Sequence, residues 1–345
     1  MDGDRLSYWV GSSAGYAFAD FYALSEMINW YEDTGPRDFH KAYALALLSE
    51  IAYEFISQRE IDAEGRLKLI PSYSYQAQLR RRVANVPVIL AGPEGTEAGF
   101  GTFFFETHLF NAIAIVQPSV CFLVFRGTRF FYMSDWKIDI NSHLTTAGSK
   151  GASPERLWSF RGHFPASNEP MLFHSGFLYE ATRLIDLLID RLKPAWDKNI
   201  RTYATGHSLG GALACILYYL YGGRLRFGVP HEDKLSISAA YAYNTPRVTN
   251  WALARALGAD EPCLYSVLGD IVPMLPPGAL GYGSPTTYKF AASFLPRVFD
   301  AVRPLHRHSI SYLRKLLSKK VRRGGGRLSL LPASPEERQR ILGRL

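Results

Sequence analysis

The chain is predicted to be an α/β protein built on a mainly parallel central sheet flanked by helices. Three observations predict it. Short β-rich runs alternate with helical periods between residues 120 and 267, the pattern of parallel strands joined by helical crossovers. One run feeds directly into a Gly-rich turn and then an apolar helix. Over 345 residues, 47% are hydrophobic, enough to bury a large core.

Taken in order, residues 38–57 repeat apolar side chains at helical spacing, which predicts a long amphipathic helix. Residues 86–91 are a short strand stopped by Gly92-Pro93. The runs 111–116 and 120–126 flank Gln117-Pro118-Ser119 as a hairpin, and the second is apolar enough to be a buried strand. Residues 142–172, polar and rich in Gly, Ser and Pro, read as an excursion. Helical periods follow at 176–192, 209–221, 250–257 and 308–317, and strands at 200–205, 235–243 and 262–267. Length alone would allow two domains. The pattern instead gives an N-terminal extension (1–37), one α/β domain (38–317) with an excursion within 129–172, and a basic C-terminal tail (318–345).

The net charge of +8 is unevenly placed. From Arg303 onward, twelve Lys/Arg face only Glu336 and Glu337, a net +10, so residues 1–302 carry −2. A nucleic-acid-binding enzyme would more often spread its charge over a groove, and no nucleic-acid partner is expected. The three cysteines, Cys121, Cys215 and Cys263, all lie in apolar stretches and are too few and too widely spaced for a disulfide framework or a zinc knuckle. No run is long and apolar enough to span a bilayer, and residues 1–20 lack the positive start and unbroken apolar core of a secretory leader. The expectation is a cytoplasmic or peripheral membrane protein, although other export routes leave no such mark.

The chemistry gathers at three predicted strand ends, where parallel sheets place their sites. The first is Thr205-Gly-His-Ser-Leu-Gly-Gly211. Gly206-x-Ser208-x-Gly210 alone is a weak motif, but here a strand enters it and a helix leaves it, the order a nucleophile elbow requires. Bulky side chains two residues either side of Ser208 would clash, hence Gly206 and Gly210, with His207 between. A serine needs a base and the base an orienting acid, in the chain order Ser, acid, His. His231 precedes a strand and would sit at the wrong edge, which leaves His306 and His308. Asp270 follows strand 262–267 at once, whereas Asp233, Asp260 and Asp300 read as surface groups. The third segment, Phe125-Arg-Gly-Thr128, ends the buried strand of the hairpin. Thr128 and the backbone N–H of Leu209 are candidate donors to an oxyanion. His306-x-His308 has no third ligand at metal-binding spacing, and no metal or cofactor is expected.

In these motifs the sequence resembles the class 3, fungal-type triacylglycerol lipases. Phe125-Arg-Gly-Thr128, Asp135-Trp136, His174-Ser-Gly-Phe177, Gly206-His-Ser-Leu-Gly-Gly211, Asn244-Thr-Pro-Arg-Val-Thr-Asn250 and Asp270-Ile-Val-Pro273 occur in the family's order, across residues 41–316. The resemblance implies an α/β-hydrolase fold, Ser208 as nucleophile, Asp270 as acid, and Thr128 with Leu209 as oxyanion donors. It favours His308 over His306 as base, because the family's histidine precedes a helix with a Tyr a few residues on, here Tyr312. It implies a supporting role for His174 and a lid at Arg129–Trp136, where four aromatics fall in eight residues. The implied activity is hydrolysis of acylglycerols or related lipid esters. The runner-up is a phospholipase A1-type hydrolase; a different class is a non-catalytic lipid-binding protein on the same scaffold. The cationic C-terminal segment suggests contact with anionic membrane surface. Two departures stand out. The family's Phe-Gly-x-Pro-Arg is here Tyr243-Asn-Thr-Pro-Arg247, expected to affect packing more than chemistry. The disulfides and leader of secreted fungal members are not expected.

Overall fold

Seven strands form the central sheet: β1 (Gly101–Glu106), β2 (Asn111–Val116), β3 (Val120–Phe125), β4 (Arg201–His207), β5 (Ile237–Tyr243), β6 (Cys263–Val267) and β7 (Thr287–Phe290). Their spatial order is β7-β6-β5-β4-β3-β2-β1. The computed structural model describes residues 8–9, 21, 24–32, 38–54, 88–89, 101–106, 110–117, 119–127, 144–145, 172–196, 200–222, 236–256, 262–291 and 308–323. Strands β3 to β7 run parallel, and β2 is antiparallel to both neighbours. The 111–116/120–126 hairpin therefore forms as expected. Neither β1 nor β7 falls on an expected strand. Of the expected strand at 86–91, the described part is Val88–Ile89, which pairs with Tyr8–Trp9 away from this sheet.

Five helices matter for the site: α1 (Phe39–Ile51), α2 (Ser175–Trp196), α3 (Leu209–Tyr221), α4 (Trp251–Ala256) and α5 (Ile310–Arg323). Side chains alternate across the strands, as period-2 geometry demands. Cys121, Leu123 and Phe125 of β3, Ala204 of β4, and Ala240 and Ala242 of β5 face a core completed by α2 and α3. Phe122 and Val124, Tyr203, Tyr241, Tyr243, Tyr265 and Val267 face a second core completed by α1 and α5. Both faces are covered, which is why β3 reads as an unbroken apolar run.

Helix α1 is not amphipathic. Lys41 to Ser49 and Ile51 are all buried, because α1 packs against both the sheet and α5. A helix enclosed this way carries apolar residues all round. Asp38 caps it, accepting from the N–H groups of His40 (3.1 Å) and Lys41 (3.0 Å), an arrangement worth about 1 kcal/mol.

Helix α5 continues past residue 317 to Arg323. The boundary drawn between residues 317 and 318 thus cuts an intact helix. Ile310, Leu313, Leu317 and Val321 are buried in the tyrosine-rich core. These apolar residues therefore pack on the domain. Of its cations, Arg314 pairs with Glu50 and Lys320 lies over the Tyr288 ring, while Lys315, Lys319 and Arg322 are exposed.

A small antiparallel sheet orders Tyr282–Gly283, Thr249–Asn250, Phe173–His174 and Leu144–Thr145 side by side. It ties the entry of α2 and α4 to the segment after β6. Apart from Leu144–Thr145 and Leu172, the excursion at 142–172 lies outside the described residues, as does 129–136. Among the described residues no helix is long and apolar enough to cross a membrane.

Candidate active site

The turn between β4 and α3 is built by sterics. Ser208 has φ 57° and ψ −128°, a region that costs a non-glycine residue roughly 1–3 kcal/mol and persists only where its surroundings enforce it. They do so here. A Cβ on Gly206 would lie 2.4 Å from Gly210 C, and one on Gly210 would lie 2.2 Å from Phe125 O. Neither fits, so α3 approaches the ends of β3 and β4 more closely than any side chain would allow. The N–H of Ser208 donates to Tyr243 O at 2.9 Å, fastening the turn to β5. Leu209 opens α3, so its N–H has no acceptor within the helix and sits next to the serine.

His308 and Asp270 meet Ser208 at this turn. Ser208 Oγ lies 2.9 Å from His308 Nε2, and His308 Nδ1 lies 2.9 Å from Asp270 Oδ2. All three residues are buried. Asp270 leaves the C-terminal end of β6 as expected, and its other oxygen, Oδ1, accepts the N–H of Val272 at 3.0 Å. A carboxylate only accepts, so Nδ1 of His308 carries the proton. That leaves Nε2 as the acceptor for the serine hydroxyl.

Of the other residues read from the sequence, Gly206, His207, Leu209 and Gly210 lie in this turn. Gly127, which precedes Thr128, is buried against it; a Cβ there would come within 3.2 Å of Ser208 Cβ. Thr128, His306, His231, Asp135, Asp233, Asp260 and Asp300 lie outside the described residues. His174 is buried in the small sheet, its ring 4.4 Å from that of Phe177.

Several contributors were not anticipated. His207 Nδ1 lies 2.8 Å from Tyr53 Oη, and its Nε2 lies 2.6 Å from His308 O. A carbonyl cannot donate, so Nε2–H donates to it and Nδ1 accepts from the tyrosine. Burial, followed by the nearby His308, pushes the His207 pKa well below the ordinary 6.5, against the opposing effect of the bond to the His308 carbonyl. His207 is a neutral, fully engaged ring. Asn244 donates from Nδ2 to the same carbonyl at 3.1 Å and accepts Val267 N–H at Oδ1, also 3.1 Å. Glu50 of α1 takes Ser311 Oγ–H and the Arg314 guanidinium, holding the first turn of α5 in place. Arg247 donates to the carbonyls of Met274 (2.9 Å) and Pro276 (3.0 Å), bracing the loop that follows Asp270. Sequence signals existed for Asn244 and Arg247, which stand in the segment where the chain departs from the family pattern. Nothing marked Tyr53 or Glu50.

Cys121, Cys215 and Cys263 are buried and form no disulfide with one another, and burial pushes the Cys121 pKa up to about 12. Among the described residues no cluster of His, Cys, Asp or Glu could hold a metal ion.

Residues 122–279, a little under half of the chain, match the family model described as Lipase (class 3). That span includes Ser208 and Asp270. Similar solved structures include a lipase from Rhizopus microsporus var. chinensis, at 23% identity over 57% of this chain and 62% of that one, with TM-score 0.36. Rhizomucor miehei lipase in its propeptide complex is 24% identical over 53% of each chain, with TM-score 0.37. Lip2 lipase from Yarrowia lipolytica is 21% identical over 54% of this chain and 66% of that one, with TM-score 0.39. The chain thus spans less than two thirds of each of these three proteins.

Proposed function

Since residues 122–279 belong to the class 3 lipase family of the α/β-hydrolase superfamily, we propose that the chain is a serine-dependent hydrolase of lipid esters. One observation carries the reading: Ser208 Oγ, the His308 ring and the Asp270 carboxylate form a continuous buried relay with 2.9 Å at each step. His308 Nε2 removes the hydroxyl proton as Ser208 Oγ attacks the ester carbonyl. Asp270 holds the Nδ1–H tautomer and stabilises the imidazolium that forms. The N–H of Leu209, at the positive end of α3, stabilises the tetrahedral oxyanion together with Thr128. His308 then protonates the departing alcohol, leaving an acyl group on Ser208. Water, deprotonated by the same nitrogen, releases the acid.

Substrate would be met at a lipid surface. For an anionic surface the side chains available on the described part of the cationic segment are Lys315, Lys319 and Arg322, spaced along one exposed side of α5.

The test is covalent. A fluorophosphonate should add one equivalent to the intact protein, on the peptide that contains Ser208, and should not label Ser208→Ala. Hydrolysis of short- and long-chain p-nitrophenyl esters beside a phospholipid separates an acylglycerol lipase from a phospholipase A1. Labelling of Ser208→Ala, or turnover by that variant above about a tenth of wild type, overturns the assignment, since loss of such a nucleophile costs orders of magnitude.

A further inference from the structure

The carbonyl of His308 receives two side-chain donors, His207 Nε2 at 2.6 Å and Asn244 Nδ2 at 3.1 Å. Such an oxygen has two lone pairs, and both are used. Asn244 does more than donate. Its Oδ1 accepts the N–H of Val267, the last residue of β6, at 3.1 Å, and its own N–H donates to Tyr265 O at 2.8 Å. Asp270 stands three residues beyond Val267. One carboxamide, 0% exposed, therefore bridges the strand that delivers the acid and the main chain that carries the base. Its backbone sits at φ 47°, in the left-handed region that Asn tolerates better than most residues.

We infer that Asn244 is a positioning residue for the reaction, acting through His308. The imidazole must reach Ser208 Oγ with one nitrogen and Asp270 Oδ2 with the other, at 2.9 Å each. A ring that spans two fixed partners is sensitive to where its backbone stands. His207 fixes the His308 carbonyl from the side of the nucleophile turn. Asn244 fixes it from the acid's strand, so base and acid keep one spacing. A displacement of about 1 Å at a reacting group costs on the order of 100-fold in rate.

The inference rests on Ser208 and His308 acting as proposed above, so the test includes Ser208→Ala. Asn244→Gly suits φ 47° and deletes both side-chain bonds. Asn244→Asp keeps the shape and can still accept from Val267 N–H, but it cannot donate to His308 O. Each is purified in full length and tested for kcat and KM on a soluble short-chain ester, fluorophosphonate labelling rate and thermal midpoint. The expected result is a kcat about 10- to 100-fold lower in both variants, with KM within twofold and labelling slowed in step with kcat. A role confined to holding the fold would lower the midpoint and leave turnover and labelling per folded molecule unchanged, which overturns the inference. Should Asn244→Gly not fold, Asn244→Asp decides alone by the same criterion. Activity in Ser208→Ala sinks the nucleophile assignment. Inactive Ser208→Ala beside wild-type rates in the Asn244 variants sinks only this inference.

Discussion

Helices α3 and α5 bring Ser208 and His308 to one point from opposite faces of the sheet. On the α3 face the strands present Ala204, Ala240 and Ala242; on the α5 face they present Tyr203, Tyr241, Tyr243 and Tyr265. Small side chains let α3 close on the strand ends until backbone touches backbone, and that contact forces the Ser208 conformation. Large rings hold α1 and α5 farther out and anchor them with polar ends. Tyr243 Oη donates to Ala42 O at 2.6 Å, and Arg314 Nη1 reaches Tyr43 Oη at 3.2 Å. The serine is thus set by steric exclusion, while the histidine is set by tethers: Glu50 on its helix, and His207 and Asn244 on its carbonyl. Exclusion fails when an atom is added, and tethers fail when one is removed.

Four substitutions test that contrast. The largest effect is expected at the proposed base. His308→Ala should lower turnover by 1,000-fold or more, whereas His306→Ala should reduce it only modestly. The reverse pattern in folded protein, read from kcat on a soluble ester, would move the base to His306. Next is the added atom. Gly210→Ala places a methyl group 2.2 Å from Phe125 O, and that neighbour is main chain that cannot swing aside. A loss above about 3 kcal/mol is expected in urea unfolding; a loss below 1 kcal/mol would mean the α3 face yields after all.

The smallest effect is one of pH. His207 is kept neutral in the folded protein, its pKa well below the ordinary 6.5, while in the unfolded chain it protonates near that value. The unfolded state therefore binds more protons as the pH drops through this range. The stability His207 confers is complete above about pH 6.5 and is lost progressively as the pH falls towards the depressed folded value. The slope is at most about 1.4 kcal/mol per pH unit. His207→Gln keeps a donor for His308 O and does not titrate, so urea midpoints at pH 5 and 7.5 should lie closer together than in the parent. An unchanged gap would assign the acid sensitivity to another group.

The α3 side was easier to read in the sequence than the α5 side. Local rules suffice there: a strand, a glycine two residues either side of a serine and a helix predict residues 209–221 as they stand, because the constraint acts between near neighbours. The α5 side depends on long-range contacts. Its helix was expected to stop at 317, since basic residues after Leu317 look like a solvated tail. Val321, four residues on, is buried by partners on α1 and the sheet that no local pattern names. Helix α1 misled for the same reason: Lys41 lies over Tyr203 and Ser49 meets Thr205 of the sheet, while Glu50 binds Ser311 and Arg314 of α5. Asn244 was visible as a departure from a motif and was credited with packing alone, because its two bonds reach residues 23 and 64 positions away.

The burial of Val321 has a practical consequence for shortening the gene. A stop codon placed after Leu317 to strip the cations would also remove the last anchor of the helix that begins beside His308, so lost binding and lost turnover would arrive together. Ending the chain no earlier than Arg323, and exchanging Lys315, Lys319 and Arg322 for neutral residues, keeps those two readouts apart.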